Sequence, residues 1–242
     1  MNFETWSPFY QTILNRFEFS EEKDVKTTVW LSKVTENIKT TSVGESIESI
    51  KSILNAVIQG KRIVICGNAP SLESEFLTYL NEYGTENEIY IAADGAATVL
   101  LKTGKVPDII VTDLDGRHPN DAIKEIEAAD KGALLLIHAH GDNLDKLEKY
   151  LPAFSDKIEK NKAIPTCQCR PTDYVYNFGG FTDGDRCVFL ADEFGAESMI
   201  LLGFDFDDPD VSPLKKKKLE CAKQLIQMIQ KKNSGIKFFD EI

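Results

Sequence analysis

RIVICGNAPSLESEFLTYLNEYG, residues 62–84, decides how the fold is read. RIVIC (62–66) is apolar on both parities, as a strand covered on both faces requires. A Gly-Asn-Ala-Pro-Ser turn comes next. Apolar residues at three- and four-residue spacing then run to Gly84, a helix pattern closed by a stop signal. The same unit recurs downstream, with strand runs at EIYIAA (88–93), DIIVT (108–112), ALLLIHA (133–139) and SMILLGF (198–204). KAIPT (162–166) and YVYNF (174–178) are weaker strand runs, residues 213–232 read as one more helix, and IKFFDEI reads as a last strand. Helical stretches lie between these runs. The alternation predicts an α/β, Rossmann-like fold with a mostly parallel sheet, right-handed crossovers and helices on its faces.

Upstream the grammar differs. Trp6, Phe9, Tyr10, Ile13, Leu14 and Phe17 sit at helical spacing over 3–17. Residues 18–41 are charged and rich in Thr and Ser, with a short helix expected around Trp30 to Ile38. Ser42-Val-Gly-Glu45 matches a capping box before a second amphipathic helix that ends at Gly60. Residues 1–60 therefore read as an N-terminal helical segment capping an α/β domain over 61–242. The apolar face of helix 3–17 buries against the same chain or against a second copy, a homo-oligomer.

Charge and length narrow the function. The 242 residues carry 28 Lys and Arg against 39 Asp and Glu, a net −11, which argues against a general nucleic-acid binder. No apolar run approaches the ~20 residues of a membrane span, and the N-terminus lacks a signal pattern, so the expected compartment is the cytoplasm. Cys66, Cys167, Cys169, Cys187 and Cys221 are odd in number and scattered, which fits buried thiols better than disulfides or zinc.

Ligands of open parallel sheets bind outside the carboxyl ends of the strands. The residues just past each run therefore carry the information: Gly67-Asn68-Ala69-Pro70-Ser71, Asp94-Gly95, Asp113-Leu114-Asp115-Gly116, His140-Gly141-Asp142-Asn143, Gly179-Gly180-Phe181-Thr182-Asp183-Gly184-Asp185, and Asp205-Phe206-Asp207-Asp208. A single aspartate after a strand is commonly a cap or turn residue. Five or six such sites on one edge point to a ligand site. Crowded carboxylates call for a cation, and hard oxygen ligands beside Gly-softened turns suit Mg²⁺. The Gly67–Ser71 turn, with Pro70 expected in the first helical turn, suits a phosphate. His140, beside Gly141-Asp142, is the histidine expected to face the site, and His138 the one expected in the core or at the strand edge. Arg170 and Arg186 are candidate phosphoryl contacts. Lys215–Lys218 reads first as a solvated helix face.

Taken in order, GNAPSL, ADGA, PDIIVTDLDG, HAHGDN, FGGFTDGDRCVFLA and GFDF resemble the archaeal 6-hydroxymethyl-7,8-dihydropterin pyrophosphokinase family over roughly residues 60–208. AADGAA and PDIIVTDLDG also resemble the nucleotide-binding half of thiamin pyrophosphokinases, but Thr112 and Gly116 depart from that pattern where those enzymes carry Gly and Ser. The resemblance implies diphosphoryl transfer from Mg-ATP to the hydroxymethyl group of the pterin, with release of AMP, in tetrahydromethanopterin or folate synthesis. It implies Asp113 and Asp115 as metal ligands with Asp94 and Asp142 near them. Asp113, Asp115, Asp142 and Arg186 would be catalytic, with Asp115 or Asp142 taking the hydroxyl proton. Nucleotide contacts would come from Gly67, Asn68, Ala69, Ser71, Asp94, Gly95, Thr112, His140, Asn143, Thr182, Asp183 and Asp185, with Asp183 and Asp185 completing an acidic ring.

The partners so implied are ATP and a small pterin, with no nucleic acid and no membrane. Phe178, Phe181, Asn177 and Asp205 are the candidates for the pterin slot. The competing readings are a thiamin pyrophosphokinase-like enzyme, an accessory protein of flagellin glycosylation acting on nucleotide sugars, and a nucleotide sensor without turnover.

Overall fold

The computed structural model describes residues 2–39, 47–85, 87–116 and 121–242. Seven strands form one sheet: β1 (Arg62–Cys66), β2 (Ile89–Ala93), β3 (Ile109–Thr112), β4 (Leu134–Ala139), β5 (Ala163–Cys167), β6 (Ser198–Leu202) and β7 (Ile236–Phe238). All neighbours pair in parallel, in the order β5-β4-β3-β2-β1-β6-β7. From β1 the chain winds outward to β5 and then returns to place β6 on the other side of β1. The order thus reverses between β1 and β6, the position at which a crevice opens at the carboxyl edge of such sheets.

The intervening helices are α4 (Leu72–Glu82), α5 (Ala96–Lys102), α6 (Asp121–Asp130), α7 (Leu144–Tyr150), α8 (Ser155–Glu159), α9 (Asp183–Glu193) and α10 (Pro213–Gln230). Right-handed crossovers lay the helices of the outward winding on one face of the sheet and α9, which reverses direction, on the other. Ile63, Ile65, Ile91, Ile109, Ile110, Leu135 and Ile137 are fully buried, as strands covered on both faces must be.

Three helices precede the sheet: α1 (Phe3–Phe17), α2 (Glu21–Lys39) and α3 (Ile47–Ile58). The Asn2 side chain caps α1 by accepting from Thr5 N–H. The Trp6 ring meets Phe189 of α9 edge-on at 5.7 Å and its indole N–H donates to Gln168 O at 2.9 Å. A buried Trp with its N–H satisfied is a strong anchor for the segment. Burying such a side chain is worth about 1.5–3 kcal/mol.

Three local expectations are corrected. The short helix around Trp30 is a 19-residue helix, because α2 buries Asp24, Thr27, Thr28, Leu31 and Thr35, a face too polar to show apolar periodicity. YVYNF makes a single bridge, Thr166 to Tyr176, instead of a strand. There the Asn177 side chain takes over the pairing by donating to Gln168 O and Cys169 O. Pro70 lies in the turn before α4 and not in its first turn, which begins at Leu72. The Ser42–Glu45 capping box and His118 lie outside the described residues. All five cysteines are buried and unpaired by disulfide.

Candidate active site

A cleft of about 390 Å³ runs along the carboxyl edge of the sheet. That is enough for a small ligand. Its walls include Gly67–Pro70 after β1, Asp94 after β2, Asp113 and Asp115 after β3, and His140–Asp142 after β4. Gln168 follows β5, Thr182–Gly184 and Arg186 open α9, and Gly203–Phe206 follow β6. The crevice is narrow at its base because two backbones touch there. A Cβ on Gly67 would stand 2.6 Å from Gly203 O, and one on Gly203 would stand 2.7 Å from Gly67 O.

The acidic centre is built by the end of β3. Thr112 is the last strand residue, and its hydroxyl accepts from Leu114 N–H at 2.9 Å. Leu114 is buried and takes a left-handed backbone, φ +63°, which costs a non-glycine residue about 1–3 kcal/mol. The strand therefore does not continue into the turn. The left-handed kink, and not strand alternation, brings Asp115 back so that its N–H donates to Asp113 Oδ1 at 3.2 Å.

Asp113, Asp115 and His140 each place a potential ligand atom within 4.8 Å of the others. His140 Nε2 lies 3.3 Å from Asp113 Oδ2, while its Nδ1 accepts from Asp142 N–H at 3.3 Å. That leaves the ring proton on Nε2, so the imidazole orients Asp113 and the carboxylates supply the oxygens. Asn143, wholly buried, donates to Asp113 O and His138 O and accepts from His140 N–H. It locks the ends of β3 and β4 together.

The charges of this centre bear on one another. Desolvation in the cleft, then the charge and hydrogen bonding of Asp113, push the Asp115 carboxyl up to about 7 although much of the side chain reaches solvent. Burial and the charge of Asp113 push Asp94 up to about 6. Burial works against ionisation of Asp113, but hydrogen bonds from His140 and Asp115 and the nearby Arg186 overcome it and hold that carboxyl below the usual range. Carboxylates that resist ionising together are what a divalent cation relieves, and an oxygen donor set fits a hard cation such as Mg²⁺. On the opposite wall Arg186, 7% exposed, donates from Nη1 to Asp183 at 3.0 Å and from Nη2 to Gln168 Oε1 at 3.2 Å. Its Nε is buried with no partner.

Gly67, Asn68, Ala69, Asp94, Asp113, Asp115, His140, Asp142, Thr182, Asp183 and Arg186 share the cleft. Others expected there do not line it. Asp185 is fully buried and accepts from Phe181 N–H, from Thr182 N–H at 3.0 Å and from the Thr182 hydroxyl at 2.8 Å, closing the capping box of α9. It is a cap and not part of an acidic ring. Thr112 and Asn143 lie beneath the floor, and Ser71 and Gly95 stand at the starts of α4 and α5. Asp142 and Asp94 are outside the close metal group, whose third member is His140. Asp142 is exposed and lies 3.8 Å from Lys23. Arg170 does not line the cleft and lies instead on Glu4 at 3.2 Å and over the Phe3 ring. His138 is buried, as expected. Of the pterin-slot candidates, Phe181 and Asp205 line the cleft and Phe178 and Asn177 do not.

Phe19 of the α1–α2 turn, Lys23 and Asp24 of the first turn of α2, Gln168 and Phe204 were not expected at the site, and Lys215 and Lys218 were expected on a solvated face; all line the cleft. Extending KAIPT by one residue to Cys167 exposes Gln168 as the residue after β5. Nothing in the pattern of residues 18–24 marks them as cleft-lining.

The model of the family described as 6-hydroxymethylpterin diphosphokinase, MptE-like, matches residues 32–211. The chain belongs to this family. A Pyrococcus furiosus 6-hydroxymethyl-7,8-dihydropterin pyrophosphokinase is 37% identical over 248 residues, covering 97% of this chain and 96% of that one. The Methanocaldococcus jannaschii protein of the same name is also 37% identical, over 96% of this chain and 97% of its own. That of Methanothermobacter thermautotrophicus is 35% identical over 96% of each. A Bacillus subtilis thiamine pyrophosphokinase aligns with a TM-score of 0.42 at 17% identity, over 74% of this chain and 60% of that one. Among the described residues no helix is long and apolar enough to cross a membrane.

Proposed function

We propose that the chain transfers the terminal diphosphate of Mg-ATP to the hydroxymethyl oxygen of 6-hydroxymethyl-7,8-dihydropterin. The oxygen attacks the β-phosphorus, the bond from that phosphorus to the bridging oxygen of the α-phosphate breaks, and AMP leaves. The observation that carries this reading is the Asp113–Asp115 pair, which lines a cleft that also presents Arg186, in a chain of this family.

Phosphoryl transfer needs positioning and neutralised charge more than covalent help. A bound Mg²⁺ would screen the phosphate oxygens and polarise the leaving group. Asp113 and Asp115 would hold it, with His140 orienting Asp113. The Gly67–Ala69 turn lets the phosphates approach the backbone, and Arg186 offers its unpartnered Nε to the transferring group. Lys215 and Lys218 add positive charge at the mouth, Lys218 Nζ lying 5.8 Å from the centre of the Phe19 ring and 5.9 Å from that of Phe181. With Asp115 holding the ion, Asp142, beside His140 and outside the carboxylate pair, would take the hydroxyl proton. Phe19, Phe181, Phe204 and Phe206 supply the flat apolar surfaces that a pterin and an adenine require.

The test is AMP release from ATP with the pterin alcohol, thiamin or a nucleotide sugar as acceptor. Release that depends on the pterin and stops in excess EDTA supports the reading. Faster release with thiamin, or none with any acceptor, contradicts it.

A further inference from the structure

We infer that Asp24, in the first turn of α2 and outside the residues matched by the family model, is a positioning residue that sets both walls of the cleft. The inference rests on the cleft being the phosphoryl-transfer site. Asp24 is 3% exposed and its carboxylate accepts three hydrogen bonds. Oδ1 accepts from Gly141 N–H at 2.6 Å, and Oδ2 from the Tyr10 hydroxyl at 2.7 Å and from Gln168 Nε2 at 2.8 Å.

Two of these bonds lead into the site. Gly141 follows His140, which orients Asp113. A Cβ on Gly141 would stand 2.7 Å from Lys23 Cβ and 3.2 Å from Asp24 Oδ1, so the turn is pressed against α2. Gln168 spends its amide N–H on Asp24 and its amide oxygen on Arg186 Nη2. The third bond, from Tyr10, leads away into the contact between α1 and α2. One buried carboxylate thus fixes the His140 turn and the Arg186 guanidinium relative to each other, and buried charge-assisted bonds are the strong ones.

Donor and acceptor bookkeeping makes the idea testable. Asp24→Asn sets an amide N–H₂ against Gln168 Nε2 or, flipped, against Gly141 N–H. Rotating the Gln168 amide only moves the donor clash onto Arg186. Gln168→Glu alone sets two carboxylates face to face. In the double variant the introduced carboxylate accepts from both the introduced amide and Arg186, so the pairings that lead into the site are restored, and only the Tyr10 hydroxyl, on the side that leads away, changes from donor to acceptor.

We expect Asp24→Asn to lower kcat roughly tenfold to a hundredfold, with the acceptor KM near wild type, and the double variant to recover most of that loss. Tyr10→Phe removes the bond that leads away from the site and should keep wild-type kcat. Mn²⁺ affinity measured with no nucleotide or acceptor gives a readout independent of the reaction assigned. It should drop in Asp24→Ala, which frees the Gly141 turn, and hold in Tyr10→Phe. Wild-type kcat in Asp24→Asn, no recovery in the double variant, unchanged Mn²⁺ affinity in Asp24→Ala, or an equal loss in Tyr10→Phe would each overturn the inference. A wild-type protein that binds Mn²⁺ but releases no AMP with the pterin would instead count against the function.

Discussion

Two turns of this chain carry the same pattern, Thr-Asp-x-Asp: Thr112-Asp113-Leu114-Asp115 and Thr182-Asp183-Gly184-Asp185. Their aspartates have different fates. After β3 the left-handed kink at Leu114 folds the turn back, and Asp113 and Asp115 share one space. At the start of α9 the same spacing falls on a helix, where residues two apart point in roughly opposite directions. Asp183 reaches Arg186 in the cleft, and Asp185 turns inward to cap the helix. A two-residue spacing is therefore evidence of a shared ligand only once the backbone beneath it is known.

The contrast breaks most sharply at the first turn. Asp113→Asn or Asp115→Asn should each cost about a hundredfold or more in turnover, the loss of charge stabilisation at a preorganised site being worth ~3 kcal/mol. Asp115→Asn also relieves crowding, so the melting temperature of the metal-free protein should hold or rise. Near-normal turnover in both variants would remove the metal assignment.

At the second turn the effect should be on stability. Asp185→Ala strips a buried cap and leaves the Phe181 and Thr182 donors unpaired, a cost of about 1–3 kcal/mol. Thermal melting should reveal it, while the folded fraction keeps turning over. Activity lost at unchanged melting temperature would return Asp185 to the site.

Acid titration sharpens the contrast further. The folded values of Asp94 and Asp115, about 6 and about 7, lie above the ordinary carboxylate range near ~4. Between about pH 4 and 7 the folded state therefore binds more protons than the unfolded state, and metal-free stability should fall as pH rises through that window. Asp113 is displaced the other way and adds stability that is lost as pH falls below the ordinary carboxylate range. A divalent cation should flatten the decline between pH 4 and 7. Melting temperatures with and without Mg²⁺ across pH 4–8 check this, and a decline that Mg²⁺ leaves unchanged would contradict it. The smallest effect belongs to the rim: Lys23→Ala breaks an exposed 3.8 Å ion pair with Asp142 and should change stability by less than ~1 kcal/mol in melting experiments.

The sheet and its polar edge were legible because burial on both faces forces continuous apolar runs, and RIVIC, DIIVT and ALLLIHA announce themselves. The order of the strands was not written in any run, although the parallel alternation restricts it. Asp113, Asp115, His140 and Arg186 were legible as residues of strand ends and site turns. The division of labour was not, because it depends on backbone kinks and on which lone pair meets which donor. Asn143 looked like a ligand contact and is a brace; Asp185 looked like a ring member and is a cap. The start of α2 was silent for another reason. Apart from Leu31, α2 buries threonines and an aspartate, so neither the length of the helix nor the function of Asp24 leaves a periodic trace.

The most direct test of the central claim is product analysis by ³¹P NMR after one turnover of ATP with 6-hydroxymethyl-7,8-dihydropterin. AMP and a pterin diphosphate ester formed one for one is the result this account predicts. ADP with a pterin monophosphate, or AMP and free pyrophosphate with the pterin unchanged, would contradict it.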